Sequence, residues 1–355
     1  MFGSEGLLST AFALALSLFA GKPVAPAAPA PAAPTAPALI TVPASLWQRS
    51  ATLEPSGVVW VPKLERYLVV SDDTGDASHH HQPWVLAMTR AGAFDEAPVP
   101  IAGLDALNDA ESICAGPDGL LFLVTSHSPN KRGHDPESRR ALLLLELAGR
   151  GLRVVGRVDL TTARAAVDLT TARAAAPAPH AEEGIAGALL ALAGLPVDGR
   201  LDIEAVTFRD GALLIGLKSP LTAKDGAVVL RLAAPVAALR AGKVPPGAVT
   251  RLWELPLHVD VAGQAIPQGI ADLTTLPDGS IALVANAPKG RAHDDGGALY
   301  HFVPGKSEPR LVRRFPGLHP EGVTLAADGK DLVLVFDNNT GPPMWMHWPL
   351  PGRAP

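Results

Sequence analysis

The chain has 355 residues, 30 Lys and Arg against 35 Asp and Glu, and a single cysteine. A net charge of −5 with no basic run leaves no electrostatic footprint for nucleic acid, and Cys114 alone can form neither an internal disulfide nor a cysteine-based zinc or iron–sulfur site. With 47% hydrophobic residues, 34 Gly and 35 Pro, the chain has material for one large domain or two ordinary ones, built with many turns.

Residues 7–20 (LLSTAFALALSLFA) form an uncharged apolar run of about 14 residues, the length of a signal-peptide core and short of the roughly 20 that a membrane span needs. Residues 1–21 are read as a secretion signal, or as a retained anchor because the leading MFGSEG carries Glu5 and no Lys or Arg. The expected location is periplasmic or secreted, with membrane contact only through an uncleaved N-terminal helix. Residues 22–38 follow, with proline every two or three positions; they favour extended polyproline II and read as a linker. The folded part is expected over residues 39–355.

One pattern then recurs: an acidic or small polar residue, a short apolar strand, a Gly/Asp turn, a second apolar strand and further polar residues. The copies are residues 56–73, 111–128, 204–219, 269–286 and 321–339. Their Pro-Asp-Gly, Arg-Asp-Gly and Ala-Asp-Gly tripeptides are hairpin turns, because Gly and Asp tolerate positive φ, and the flanking runs are rich in Val, Leu and Ile. Two more strand-like stretches follow most copies, such as 141–147 with 152–158 and 227–232 with 249–255. Four strands in about 50 residues is the unit of a β-propeller. The expected fold is all-β, a single propeller of five or six four-stranded blades. Its ring would close by pairing a strand from residues 39–53 with residues 345–350, since propellers leave few free edges. The interval before Glu204 holds VDLTTARAA twice in tandem and then an Ala/Leu-rich stretch; residues 161–195 read as a partly helical insertion projecting from the propeller.

In each hairpin the start of the first strand and the end of the second lie at one end. The innermost strands line the channel of a propeller, so these positions converge on one mouth. That gathers Ser56, Asp72, Asp73, Glu111, Ser126, His127, Glu204, Lys218, Asp272, Asn286, Glu321, Asp337 and Asn338. A ring of carboxylates needs a cation, protons or basic side chains to compensate it. Oxygen ligands suit calcium or magnesium, which makes Asp72, Glu111, Glu204, Glu321 and Asp337 the candidate metal ligands. Glu111, Glu204 and Glu321 open hairpins at one register and are the candidate catalytic carboxylates, expected to share one ion or one ligand. The competing reading is structural, each Glu accepting backbone N–H groups of the neighbouring blade as a repeated latch. Residues 125–140 (TSHSPNKRGHDPESRR) leave the same mouth with several basic residues and suit a phosphate or carboxylate. Ser126, His127, Arg132, Lys218 and Asn286 are therefore the candidate substrate-binding residues. No Gly-x-Ser-x-Gly elbow supports a conventional serine hydrolase. The run His79-His80-His81 reads as an exposed loop, and Cys114 as a buried inert thiol.

The openings Asp109-Ala110-Glu111 and Asp202-Ile203-Glu204, the Thr-Ser-His-Ser segment before basic residues, and GLKSPL with GAVVLRL resemble a bacterial propeller family of unknown function. More distantly, HPEGVTLAADGKDLVLVFD, from His319 to Asp337, is similar to the esterase-like phytase family. That resemblance implies a propeller with acidic residues around its channel. The chain departs from the Asp-x-Glu-Gly pattern: Ser112 and Ala205 replace its Gly, and Gly269 stands where the fourth copy would carry Glu. The expected function is an exported, metal-dependent hydrolase of phosphoesters, esters or lactones, monomeric and acting on a small molecule or glycan. The alternative is a non-catalytic propeller binding a ligand, glycan or protein at the same mouth.

Overall fold

The computed structural model describes residues 35–48, 53–74, 81–130, 132–133, 136–160, 189–191, 193–195, 200–288, 296–337 and 341–351. The leader, most of the linker and most of the 161–195 interval, with its duplication, lie outside them. No helix among the described residues is long and apolar enough to cross a membrane.

A two-residue strand, β1 (Ala38–Leu39), precedes the first blade, which comprises β2 (Pro55–Val61), β3 (Arg66–Ser71), β4 (Trp84–Met88) and β5 (Val99–Ala102). The second blade is β6 (Ala110–Ala115), β7 (Leu121–Thr125), β8 (Leu142–Ala148) and β9 (Gly151–Val158), and the third β10 (Asp202–Arg209), β11 (Ala212–Ser219), β12 (Ala227–Ala233) and β13 (Val249–Leu255). A separate hairpin, β14 (His258–Val261) with β15 (Gln264–Pro267), leads to the fourth blade: β16 (Gly269–Thr275), β17 (Ile281–Asn286), β18 (Gly296–Phe302) and β19 (Arg310–Pro316). The fifth is β20 (His319–Leu325), β21 (Asp331–Asp337), β22 (Met344–Pro349) and, as its outer strand, β1.

The hairpin turns form as the tripeptides require. Asp118 and Gly119 take φ of 56° and 77°, and Asp210 and Gly211 take 48° and 74°, the left-handed region that Asp tolerates and Gly adopts freely. The inner strands pack in sequence, β2 on β6, β6 on β10, β10 on β16, β16 on β20, and β20 back on β2. That circuit makes the fold a five-bladed propeller. The direct packing of β6 on β10 leaves no place for a sixth blade between them. The ring closes in the expected manner, by Ala38 pairing with Trp345 and Leu39 with Met344, so the folded body already includes Ala38. A parallel pairing of β5 with β9 also joins the outer edges of the first two blades.

Blades stand on edge, so both faces of each sheet meet a neighbour. This is why the strands read as continuous apolar runs: Val58 packs toward the fifth blade with Val333 and Val335, while Val59 packs toward the second with Ile113 and Leu123. Five apolar clusters fill the five interfaces. The end of the 161–195 interval does not project as expected. Leu189, Leu190, Ala193 and Leu195 are buried in the cluster between the second and third blades.

Candidate functional site

Each inner strand carries a β-bulge at one equivalent position. The pairing skips between Pro55 and Gly57, Ala110 and Ser112, Ile203 and Ala205, Ile270 and Asp272, and Pro320 and Gly322. The extra residues are Ser56, Glu111, Glu204, Ala271 and Glu321. A bulge leaves its residue out of the ladder and re-aims the side chain, so the repeat presents three glutamates at one level of the channel. The fourth blade is thereby re-registered: Ala271, not Gly269, occupies the glutamate position. Gly269 is instead required by a close approach, since a Cβ there would lie 1.9 Å from the Lys218 carbonyl oxygen.

The residues after the bulges, Gly57, Ser112, Ala205, Asp272 and Gly322, form a waist. A Cβ on Gly57 would fall 2.7 Å from the Ser112 Cα, so the strands meet too closely there for larger side chains. Ser112 Oγ accepts the Val206 N–H at 3.1 Å and donates to Asp272 Oδ1 at 2.8 Å. Asp272 also accepts the N–H of Leu273 at 2.9 Å and of Val323 at 2.8 Å. This chain links four blades across the channel. Burial pushes the Asp272 carboxyl well above the usual range against these hydrogen bonds. The latch expected of the glutamates is thus made by Asp272 and Ser112.

Above the waist the glutamates divide. Lys218 Nζ, buried at the end of β11, lies 2.6 Å from Glu204 Oε2 and 3.4 Å from Glu321 Oε2, reaching from the third blade to the fifth past Ala271. Burial works against the ammonium, but Glu204, Glu321 and Asp202 outweigh it and hold the Lys218 pKa well above the lysine range. Burial also drives the Glu204 carboxyl up, with Lys218 opposing it. Lys218, expected to grip a substrate anion, is spent on two of the three glutamates.

Glu111 lies elsewhere. One oxygen each of Asp72, Asp109 and Glu111 lie within 4.8 Å of one another. Asp109 is held by Arg139 and by the Ser126 hydroxyl, and Arg139 is anchored in turn on the Ser128 carbonyl at 2.9 Å. The Asp109 backbone N–H donates to the Asp72 carbonyl at 2.9 Å, fixing the two loops together. The Glu111 side chain has no hydrogen-bond partner among the described residues, and burial, with Glu204, Asp72, Asp109 and Asp202 around it, pushes its pKa well above the usual range. The three glutamates therefore do not meet at one point; Glu111 joins two aspartates and the other two join a lysine.

The remaining sequence candidates scatter. His127 is buried with φ of 55°, its Nδ1 2.7 Å from the Thr125 carbonyl and its Nε2 accepting the Leu160 N–H at 3.3 Å, so both ring nitrogens serve the fold. Asn286 is buried and donates from Nδ2 to the Pro320 carbonyl at 3.0 Å, tying the fourth blade to the fifth. Arg132 is exposed on its loop. Asp337 pairs in register with His319 and stands outside the three-carboxylate group. His79, His80 and Asn338 lie outside the described residues, whereas His81 Nδ1 is 3.5 Å from Asp73 Oδ1. Sequence reasoning missed Asp109 as a member of the three-carboxylate group and Arg139 as its holder. The Asp-x-Glu spacing shared by Asp109-Glu111 and Asp202-Glu204 was the available signal.

No protein-family model and no curated protein matches the chain. Among solved structures it is similar to a gluconolactonase from Xanthomonas campestris, at 14% identity over 91% of this chain and 99% of that one, with a TM-score of 0.40. A mannose phosphorylase from Leishmania mexicana gives 11% identity over 90% and 89%, with a TM-score of 0.45. Hydrazine synthase of Kuenenia stuttgartiensis gives 12% and a TM-score of 0.35; the alignment covers 80% of this chain but only 65% of that longer one. None of the three reaches a TM-score of 0.5, and the five-bladed ring stands on the chain's own strand pairing.

Proposed function

We propose that the protein is an exported hydrolase of esters, lactones or phosphoesters that works at the acidic mouth with a divalent cation, calcium or magnesium, held by Asp72, Asp109 and Glu111. The observation that supports this reading is Glu111: a buried carboxyl without a hydrogen-bond donor among the described residues, beside two aspartate oxygens, requires either a proton or a cation. Oxygen-only donors on a bulge and two loops suit a hard cation. Bound there, such an ion would polarise a scissile carbonyl or phosphoryl group and acidify a coordinated water. Arg139 and Ser126 hold the Asp109 carboxylate in place, and Glu321, the less buried of the two glutamates beside Lys218, is the candidate to accept a proton. Export through residues 1–21, a monomeric state, a small-molecule or glycan substrate and kinship with the propeller family of unknown function belong to the same proposal.

The second reading, a non-catalytic binder, draws on the Lys218 clamp, which already neutralises Glu204 and Glu321. Calcium titration into chelator-treated protein, followed by thermal melting and an ester, lactone and phosphoester screen, separates the two. The hydrolase reading expects a calcium-dependent rise in Tm that Glu111→Gln abolishes, with turnover that chelation removes. Calcium binding without turnover of any of the three classes leaves the binder. No calcium or magnesium effect on the wild type overturns the cation site.

A further inference from the structure

The channel opens a second time, at the opposite end of the inner strands. A cavity of about 750 Å³ lies there, walled by all five of them. Ile113 and Leu273, which line it, directly follow Ser112 and Asp272, so the hydrogen-bonded waist lies between this cavity and the acidic mouth. The two openings are chemically opposite. Glu65, Arg90 and Asp328 are the charged residues that line the lower cavity, and all three are exposed residues beyond the strand ends, at its rim. Deeper, the wall is Val, Ile, Leu, Phe, Ala, Cys114 and threonines. The thiol is buried, and burial pushes its pKa up, so it contributes no anion.

Four hydroxyls mark this wall. Those of Thr207 and Thr275 are 3.2 Å apart, bridging the third and fourth blades. The hydroxyls of Thr274 and Thr324, on the fourth and fifth, have no hydrogen-bond partner among the described residues although both line the cavity. Trp60, half-buried in the first blade, adds an indole with the Arg90 guanidinium 4.7 Å from its ring and the Tyr67 ring, tilted by 60°, 4.9 Å away.

We propose that this lower mouth binds a neutral saccharide of one or two rings. Its volume lies in the range of small-molecule sites. Unpartnered neutral hydroxyls on two blades can exchange hydrogen bonds with sugar hydroxyls as donors and acceptors, while Val59, Phe208, Leu325 and the indole offer apolar surface to the C–H faces of the rings. A charged ligand would lose its hydration in the deep wall without a counter-charge. Hydroxyl-to-hydroxyl recognition is also selective, because a missing partner leaves a desolvated polar group.

Isothermal titration calorimetry of the full chain with glucose, galactose, maltose and cellobiose, against gluconate and glucosamine, tests it. At least one neutral sugar is expected to bind, and the double variant Thr274→Val, Thr324→Val to weaken it about tenfold or more at unchanged Tm. Thr274→Val alone, at a half-exposed position, is expected to weaken the same sugar if the double variant does not fold. Glu111→Gln, in the other mouth, is expected to bind that sugar like the wild type. Absence of binding by all four neutral sugars, indifference to the threonine substitutions, loss of binding in Glu111→Gln, or equal binding of the charged sugars would each overturn the proposal.

Discussion

Glu111 and Glu204 hold the same bulge in consecutive blades, each two residues after an aspartate, and their surroundings diverge. In the third blade β11 supplies Lys218 between Leu217 and Ser219, the residues that pair with Ile203 and Asp202, and the ammonium meets Glu204 from its own hairpin. In the second blade β7 runs from Val124 to Thr125 opposite the bulge with no residue to spare, and among the described residues no cationic side chain pairs with Glu111. One carboxylate completes a buried ion pair that fastens the third blade to the fifth. The other is left to bind a proton or a ligand. The same residue type at the same register is thus paired with a cation in one blade and grouped with carboxylates in the next, and the second strand of the hairpin decides which.

The comparison breaks most visibly at Lys218. Replacing it with Met leaves Glu204 and Glu321 facing each other in a buried site, and a loss of about 3–5 kcal/mol is expected by urea denaturation. Adding Glu204→Gln to Lys218→Met should return a large part of that loss. If Lys218→Met alone melts like the wild type, the clamp is not what holds this half of the mouth.

Ser112→Ala probes the waist that both halves share. It removes a donor from Asp272 and an acceptor from the Val206 N–H at once, for an expected loss of about 1–3 kcal/mol without change in cation response. A calcium response lost together with the hydroxyl would mean that the waist also shapes the acidic corner.

The subtlest difference is in pH dependence. With chelator present, folded Glu111 keeps a proton that the unfolded chain releases above its ordinary value of 4.5. Its contribution to stability is therefore present at low pH and falls as pH rises from there toward the raised value, at no more than about 1.4 kcal/mol per pH unit. Glu111→Gln should flatten that part of the profile and melt above the wild type in mildly alkaline buffer. Saturating calcium should flatten it for the wild type too. A wild-type profile that matches Glu111→Gln throughout would place a compensating cation beside Glu111 and erase the contrast with Glu204.

Sequence alone carried the hairpins, because Asp-Gly turns and β-rich runs are local signals, and with them the propeller and the gathering of first-strand glutamates at one mouth. It left the blade number open between five and six, since only the packing of β6 on β10 closes the ring over the interval between Glu111 and Glu204. It misregistered the fourth blade by two residues, taking Gly269 for the glutamate position that Ala271 fills. A bulge changes the count of residues along a strand without leaving a mark in composition. The partners of the carboxylates were out of reach for a further reason. Lys218 with Glu321, Ser112 with Asp272 and Arg139 with Asp109 are separated along the chain by 103, 160 and 30 positions. Charge type and spacing determine which groups arrive at the mouth, but which of them are neutralised depends on side chains reaching across a channel that exists only once five blades have closed around it.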